Sequence, residues 1–191
     1  TVTTSANVTA EATSANGAAV DYDAASATDI VDGAFAAGDI TYSAASGSTF
    51  AIGETVVTVS ATDDANNTTQ ETFTVTVSDN TGPVITTPND ATAEATAANG
   101  ATVDYGAATA SDAVDGAIAA GSITYDIATN TVFAITTTTV TVTAVDATGN
   151  QSQDTFTVTV SDGTGPTVTT SANVTAEATS ANGAAVDYDA A

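Results

Sequence analysis

Carboxylates are the only charged side chains in this sequence. The 191 residues include 23 Asp and Glu but no Lys, Arg, His or Cys, so the formal net charge is −23. Carboxylate oxygens are the ligands that hard cations such as Ca²⁺ prefer. Without His or Cys, the chain has no imidazole or thiolate metal ligand and no disulfide bond. The chemistry open to this sequence is therefore carboxylate chemistry.

The missing basic residues exclude several classes of function. We expect no direct binding of nucleic acid, because Lys and Arg neutralise the phosphates in such complexes. Anionic membrane surfaces repel a chain of this charge. A Cys–His or Ser–His–Asp nucleophile is excluded, and nothing in the sequence indicates the cleft that a glycosidase-like carboxylate pair needs. We therefore predict that the protein is not an enzyme.

The sequence repeats with a period of 83 residues. Residues 1–83 align without a gap with residues 84–166, and 51 of the 83 positions are identical. Residues 167–191 match residues 1–25 at all 25 positions, so two types of repeat alternate. Such periodicity is typical of arrays of small domains. We predict two full domains, 1–83 and 84–166, and a partial third, 167–191, cut from a longer array.

Several acidic residues occupy equivalent positions in both full repeats. If strands run alternately up and down, the loop with Asp29 and Asp32 and the turn with Asp63 lie at one end of a repeat. The linker from the preceding repeat arrives at that same end, so Asp79 would approach the equivalent residues of the second repeat. The residues predicted to contribute to such junctions are Asp29, Asp32, Asp63, Asp79, Asp112, Asp115, Asp146 and Asp162.

Calcium is the cation that best suits these predicted clusters. It takes six to eight oxygen ligands in a flexible shell, whereas bare carboxylates close together repel each other or take up protons. Two alternatives stay open. The Asp residues could serve only as turn residues that accept hydrogen bonds from nearby backbone amides, or salt in a halophilic setting could screen the charge.

Short β-strands are the elements that would position these residues. Predicted strands at Val8–Thr13 and Ala18–Asp23 flank Ser14–Gly17, where Asn-Gly suits a tight hairpin. The strongest predicted hairpin joins Thr55–Thr62 to Thr69–Val77. Apolar and hydroxyl residues alternate in both of these strands, which indicates one buried face. The residues predicted to face inward are Val57, Val59, Ala61, Phe73, Val75 and Val77, and Val56, like its counterpart Thr139, is predicted to face outward.

This pattern predicts an all-β fold of tandem immunoglobulin-like antiparallel β-sandwich repeats of 83 residues. The segments Asp79–Ile85, Thr58–Asp63, Thr141–Asn150 and Phe73–Val77 resemble hyalin repeats and related bacterial immunoglobulin-like repeats. Members of that family often carry a pair of Cys and an aromatic residue near the second strand. This chain has no Cys, and its aromatic residues at that place are Tyr22, Tyr105 and Tyr188.

The resemblance implies an extracellular or cell-surface spacer or adhesion module that occurs in tandem. We therefore expect a structural fibre, stalk or filament, stiffened by calcium at the domain junctions, whose partners are copies of itself or neighbouring repeats of the same array. One alternative is a self-assembling filament subunit in which strands pair between chains. Another is a halophilic surface-layer or adhesin spacer without specific calcium sites.

Overall fold

The computed structural model describes residues 1–188 as two tandem β-sandwich domains and a following segment without strands. The all-β fold predicted from the sequence is confirmed. Within the described residues, no helix is long and apolar enough to cross a membrane. The strands of the first repeat are β1 Val2–Thr3, β2 Val8–Glu11, β3 Ala18–Ala19, β4 Ser26–Asp29, β5 Gly33–Ala34, β6 Ile40–Tyr42, β7 Thr49–Phe50, β8 Gly53–Thr62 and β9 Thr68–Ser78, with a 3₁₀ turn at Ala37–Asp39.

The second repeat has the same elements in the same order. Its strands are β10 Val84–Thr86, β11 Ala91–Glu94, β12 Ala101–Val103, β13 Thr109–Asp112, β14 Gly116–Ala117, β15 Ile123–Tyr125, β16 Thr131–Phe133, β17 Thr137–Val145 and β18 Gln151–Ser161, with a 3₁₀ turn at Ala120–Ser122. In each repeat a four-stranded sheet, a three-stranded sheet and a two-stranded sheet contribute to one hydrophobic core. Their orders are β2-β9-β8-β6, β1-β4-β5 and β3-β7 in repeat 1, and β11-β18-β17-β15, β10-β13-β14 and β12-β16 in repeat 2.

The long hairpin formed by β8 and β9 is the centre of the first repeat, as predicted. Val57 pairs with Phe73 across the hairpin, and the six residues predicted to face inward are all buried. Val56 is 60% exposed, and its counterpart Thr139 in the second repeat is also exposed. Because side chains alternate across a strand, this register keeps the threonines of β9 on the opposite face of the sheet.

Two aromatic residues close the core of each repeat. The rings of Tyr22 and Phe73 lie edge to face with their centroids 4.8 Å apart, and Tyr105 and Phe156 repeat this contact at 4.8 Å. The Tyr22 hydroxyl donates a hydrogen bond to the carbonyl of Ala44. The aromatic place predicted for Tyr22 and Tyr105 is therefore a core position with a satisfied hydroxyl.

The hairpin predicted around Ser14–Gly17 is wrong. A turn does form there, with a bridge between Ser14 and Gly17, but the strands on its two sides do not pair with each other. Strand β2 pairs in parallel with β9, and β3 pairs with β7. The chain therefore crosses from one sheet to another at this turn, and both strands are shorter than predicted because each follows a distant partner.

The segment after the second repeat shows which features of the fold depend on local sequence and which depend on distant partners. Residues 167–188 have the same sequence as residues 1–22 but contain no strand, and only the bridge between Ser180 and Gly183 remains. In repeat 1 the corresponding strands pair with β4, β7 and β9, which lie outside those first 22 residues. The turn therefore depends on the local sequence, whereas the strands depend on distant partners. Residues 189–191 of the predicted partial repeat lie outside the described residues.

Two glycines of identical local sequence give a test of this interpretation. Gly17 and Gly183 both have φ of 99°, but a Cβ on Gly17 would lie 1.8 Å from the carbonyl oxygen of Phe50, and a Cβ on Gly183 would meet nothing within 4 Å. We expect Gly17→Ala to lower the free energy of unfolding by more than about 1 kcal/mol, measured by urea denaturation. The control Gly183→Ala is expected to change it by less than about 0.5 kcal/mol; equal effects would contradict the interpretation.

Candidate metal centre at the repeat junction

Glu11, at the end of β2, holds the linker that leads into the second repeat. Its carboxylate accepts hydrogen bonds from the amide of Asn80 at 2.7 Å, the side-chain amide of Asn80 at 3.0 Å and the hydroxyl of Thr81 at 2.8 Å. The Asn80 amide and then the Thr81 hydroxyl lower the pKa of Glu11. We call this arrangement the linker clamp; it fixes the backbone immediately after Asp79.

The end of the linker is packed against the second repeat. Pro83 is fully buried, and a Cβ added to Gly82 would lie 2.7 Å from the Ser152 hydroxyl and 2.9 Å from the Gln151 backbone. Only glycine fits at this close approach. The linker is therefore fixed at both ends, by Glu11 in the first repeat and by β18 in the second.

Asp79 lies between these two fixed points with its carboxyl group in the second repeat. The Thr148 hydroxyl donates to Asp79 Oδ2 at 3.3 Å, and the Asn150 side chain donates to the Asp79 carbonyl at 3.1 Å. Asp79 is only 8% exposed, yet its Oδ1 is buried without any hydrogen-bond partner. A buried carboxylate oxygen without a donor is costly, and a cation is a partner that offsets this cost.

Asp146, in the turn between β17 and β18, is the second buried carboxylate of the junction. Its Oδ1 accepts from the Gly149 amide at 2.7 Å, the Asn150 amide at 2.8 Å and the Thr148 hydroxyl at 3.0 Å, and its Oδ2 accepts from the Asn150 side chain at 2.8 Å. Burial alone would raise its pKa, but the hydrogen bonds from Asn150, Thr148 and Gly149 outweigh burial and lower it. Asp146 is therefore held as a charged carboxylate.

Asp115 completes the cluster from the loop between β13 and β14. Its Oδ2 accepts from the Ala147 amide at 2.9 Å, which ties this loop to the β17–β18 turn. Asp112 shapes the same loop, because its Oδ1 accepts from the amides of Val114 at 2.7 Å and Asp115 at 3.1 Å. Such a turn, built on a local side-chain bond, is what Asp residues favour.

The three carboxylates of Asp79, Asp115 and Asp146 offer oxygens that all lie within 4.8 Å of one another. Burial is the main reason that the pKa of Asp79 is raised. The Thr81 amide and the Thr148 hydroxyl act in the opposite direction, and the charges of Asp112 and Asp146 raise the pKa further. The chain has no basic side chain that could neutralise this cluster. Oxygen donors, excess negative charge and the unpartnered Asp79 Oδ1 together fit a hard divalent cation.

The structure brings together three of the eight residues predicted to bind metal, and Asp112 lies beside them as the residue that shapes the loop. The counterparts of Asp112, Asp115 and Asp146 are Asp29, Asp32 and Asp63, which lie at the corresponding end of repeat 1. There Asp29 accepts from the amides of Val31 and Asp32, and Asp63 accepts from the side chain and amide of Asn67. Among the described residues, no linker carboxylate reaches this second group, and its metal binding stays a prediction.

Asp162 is the counterpart of Asp79 in the second linker. It is exposed, and its Oδ1 accepts only from the Thr164 amide, at 3.3 Å, within residues 1–188. Glu94 repeats the linker clamp by accepting from the Gly163 amide at 2.8 Å and the Thr164 hydroxyl at 2.9 Å. The clamp is thus present at both linkers, whereas among residues 1–188 a carboxylate cluster is found only at the first.

The roles of four residues were not predicted from the sequence. Glu11 and Glu94 are equivalent acidic positions of the two repeats, but their function as clamps depends on contacts with distant residues. Thr148 and Asn150 belong to the β17–β18 turn, and the spacing Asp63–Asn67 recurs there as Asp146–Asn150. That spacing was the available signal, because an Asn four residues after an Asp is well placed to close a turn on its carboxylate.

The chain matches a family model described as the HYR domain twice, at residues 1–77 and 78–160. It belongs to the HYR family. No curated protein sequence matches it. Among solved structures, similar chains are PcdhgB3 EC1-4 (15% identity, TM-score 0.31, covering 83% of this chain and 48% of that one) and the protocadherin gammaB4 extracellular domain (13%, 0.30, 84% and 33%). A third is the set of extracellular cadherin domains 3–6 of protocadherin gamma B2 (16%, 0.29, 84% and 49%).

The two HYR matches together span residues 1–160, most of both full repeats, and agree with the family that the sequence resembles. The described chain spans about a third to a half of the length of the protocadherin chains that it matches. HYR domains are generally extracellular.

The linker clamp predicts a pH-dependent signal that can be read at single residues. Because the hydrogen bonds lower the folded pKa of Glu11 below its ordinary value of 4.5, the clamp is present above pH 4.5 and is lost as the pH falls through the folded pKa. We expect the Asn80 amide resonance to titrate with a midpoint below 4.5 in NMR spectra. In Glu11→Gln this titration should disappear while that of Gly163, bound to Glu94, remains. A midpoint at or above 4.5 would contradict the clamp.

Proposed function

We propose that this chain is a section of a structural extracellular array of HYR repeats and that Ca²⁺ bound at the junction limits bending between neighbouring repeats. The observation that supports this most is the buried, unpartnered Oδ1 of Asp79 in a cluster with Asp115 and Asp146. Asp79 belongs to the linker, whereas the other two carboxylates belong to the second repeat. A cation that binds all three therefore connects the linker to the following domain.

The donor set favours calcium over other common cations. Three carboxylates carry three negative charges with no basic neighbour, and a hard divalent ion compensates most of that charge. Mg²⁺ demands a nearly regular octahedral shell and keeps its waters, whereas Ca²⁺ accepts irregular sets of six to eight oxygens. The ligands of this cluster come from three separate segments: the linker, the β13–β14 loop and the β17–β18 turn. Such an irregular set suits calcium.

A spacer role follows from how the two repeats are joined. The linker is short, clamped by Glu11, and ends in the buried Pro83, so little free chain separates the domains. In an array of such units, length is set by the number of repeats and stiffness by the state of each junction. The proposed partners are neighbouring repeats of the same array and copies of this chain.

A self-assembling filament is the second candidate function. Residues 167–188 carry the sequence of residues 1–22 but contain no strand, so they could take the places of β1, β2 and β3 in another chain. Pairing of a strand from one chain with a sheet edge of the next is a known route to assembly. A halophilic spacer without specific calcium sites is the third, in which salt alone screens the acidic surface.

Calcium titration of two linker variants tests the proposed site. We expect Asp79→Asn to weaken calcium binding by at least about tenfold in isothermal titration calorimetry, because it removes the charge of the only ligand from the linker. The matched control, Asp162→Asn, changes the equivalent residue of the second linker and is expected to leave this site unchanged. If the unmodified chain binds no calcium, the proposed site is wrong.

Small-angle X-ray scattering and electron microscopy distinguish the candidate functions. Straight particles that shorten in scattering when a chelator removes calcium support the calcium-stiffened spacer. Long fibres that assemble from separate chains support the filament. Particles whose length does not change with chelator but increases with sodium chloride concentration support the halophilic spacer.

The buried Asp79 carboxyl also predicts that one variant has opposite effects with and without calcium. Its folded pKa lies above the ordinary value of 3.8, so stability is lost as the pH rises from 3.8 through the folded pKa, and the metal-free junction is weakened at pH 7. In chelator, Asp79→Asn is therefore expected to melt at the same or a higher temperature than the unmodified chain. In calcium at about 100 times the Kd of the unmodified chain, the ion supplies roughly 2.7 kcal/mol to that chain but only about 1.4 kcal/mol to a variant that binds tenfold more weakly, so the variant melts lower. A variant that melts lower in both conditions contradicts this account.

A further inference from the structure

One apolar side chain of repeat 2 packs on the hydrophobic core of repeat 1. It is Val114, in the loop between β13 and β14, and among residues 1–188 no other apolar side chain of repeat 2 makes this contact. Val114 is half-buried, whereas Ala113 and Asp115 on either side of it are exposed. Removal of apolar surface from water stabilises such a contact. A valine in an otherwise exposed loop thus has its partner in the preceding domain.

The same loop carries Asp115, the least constrained carboxylate of the cluster. Asp79 and Asp146 are buried, but Asp115 is exposed. Within residues 1–188 its carboxylate accepts one hydrogen bond, from the Ala147 amide to Oδ2 at 2.9 Å. A cavity of about 240 Å³ is bounded by Asp115, Asp146 and Ala147, among others. Repeat 2 by itself therefore leaves room for the Asp115 side chain to move away from the other two carboxylates.

The backbone of the loop couples the position of Val114 to that of Asp115. The two residues are consecutive, and Asp112 Oδ1 accepts hydrogen bonds from both of their amides, at 2.7 Å and 3.1 Å. A side-chain bond of this kind fixes the backbone of a turn. Gly116 then pairs with Asp112 where β13 meets β14. A change in the position of Val114 therefore moves the Asp115 carboxylate with it.

Charge repulsion acts against the cluster when no cation is bound. Asp115 and Asp146 belong to repeat 2. Asp79 belongs to the linker, and Glu11 of repeat 1 fixes the backbone immediately after it. Like charges at short distance repel most where water is excluded, and movement of the β13–β14 loop away from the linker would relieve this repulsion. An apolar contact carries no charge, so the Val114 contact opposes that movement without needing a cation.

We infer that Val114 is a positioning residue of the proposed calcium site: its contact with the core of repeat 1 holds the β13–β14 loop against that repeat and keeps Asp115 beside Asp79 before an ion binds. The inference rests on the proposed function, and Val114 itself offers no ligand atom. Because the loop is already ordered, less of the favourable free energy of ion binding is offset by ordering it. The affinity for calcium therefore depends on an apolar side chain that does not touch the ion.

Calcium titration of full-chain variants by isothermal titration calorimetry tests this inference. Val114→Thr keeps the shape and charge of the side chain but places a hydroxyl group in the apolar contact. We expect it to raise the Kd for calcium by at least about fivefold, and Val114→Ala to act in the same direction because it removes the contact. The control Val132→Thr makes the same change on β16 of repeat 2, where Val132 is 54% exposed, and should leave Kd unchanged. Circular dichroism is expected to show that all three variants fold.

A double-mutant cycle distinguishes positioning from a general effect on stability. If Val114 acts through Asp115, its substitution matters only while Asp115 supplies a carboxylate. Asp115→Asn keeps an oxygen ligand, so weaker calcium binding remains to be measured. In that background we expect Val114→Thr to change Kd by less than about twofold. A merely structural role would raise Kd by the same factor in both backgrounds.

The outcomes separate this inference from the proposed function. If the unmodified chain binds calcium and both Val114 variants bind it with an unchanged Kd, the positioning role is overturned and the calcium site stands. An equal loss of affinity in Val132→Thr, or an equal effect of Val114→Thr with and without the Asp115 carboxylate, also overturns it. If the unmodified chain binds no calcium, the inference and the proposed site both fail.

Discussion

Unbalanced negative charge is the constraint under which every other part of this molecule folds. A net charge of −23 without one basic side chain opposes any compact state through self-repulsion. The described residues reduce this cost by giving carboxylates hydrogen-bond donors: linker amides for Glu11, Asn67 for Asp63 and the turn amides for Asp146. Within residues 1–188, a buried side-chain oxygen without a donor occurs only on Asp79. This buried oxygen lies at the place where the two domains meet.

The hydrophobic core and the junction are built from the same strands. Each repeat is small and has no Leu, Met or Trp, and small domains bury a limited share of their surface. The hairpin of β17 and β18 supplies the most deeply buried valines of repeat 2, including Val140 and Val142, and its turn carries Asp146 and Asn150. Because the core fixes the hairpin, it also fixes Asp146. The linker clamp then holds Asp79, and the hydrogen bond from Ala147 holds Asp115, beside that carboxylate.

Local sequence predicted the features that depend on local pattern. Alternation identified the hairpin of β8 and β9 and the faces of its strands, because a period of two residues is a property of the strand itself. The meeting of Asp79 with Asp115 and Asp146 followed from strand direction alone. The parallel pairing of β2 with β9 could not be predicted in this way, since Val8 and its partner Val75 are distant in sequence. The clamp by Glu11 was missed for the same reason, as its donors Asn80 and Thr81 are equally remote.

The identical segments 1–22 and 167–188 show why distance matters for this fold. One forms three strands and the other forms none, although both make the same turn, so the strands are stabilised by partners and not by propensity. The junction also depends on distant partners. Asp79 on its linker forms a carboxylate cluster only together with Asp115 and Asp146 of the next repeat. A single repeat therefore holds either the linker carboxylate or the loop carboxylates of a given junction, but not both. The proposed ion site is therefore a property of two successive repeats joined in order, and neither repeat alone supplies all of its carboxylates.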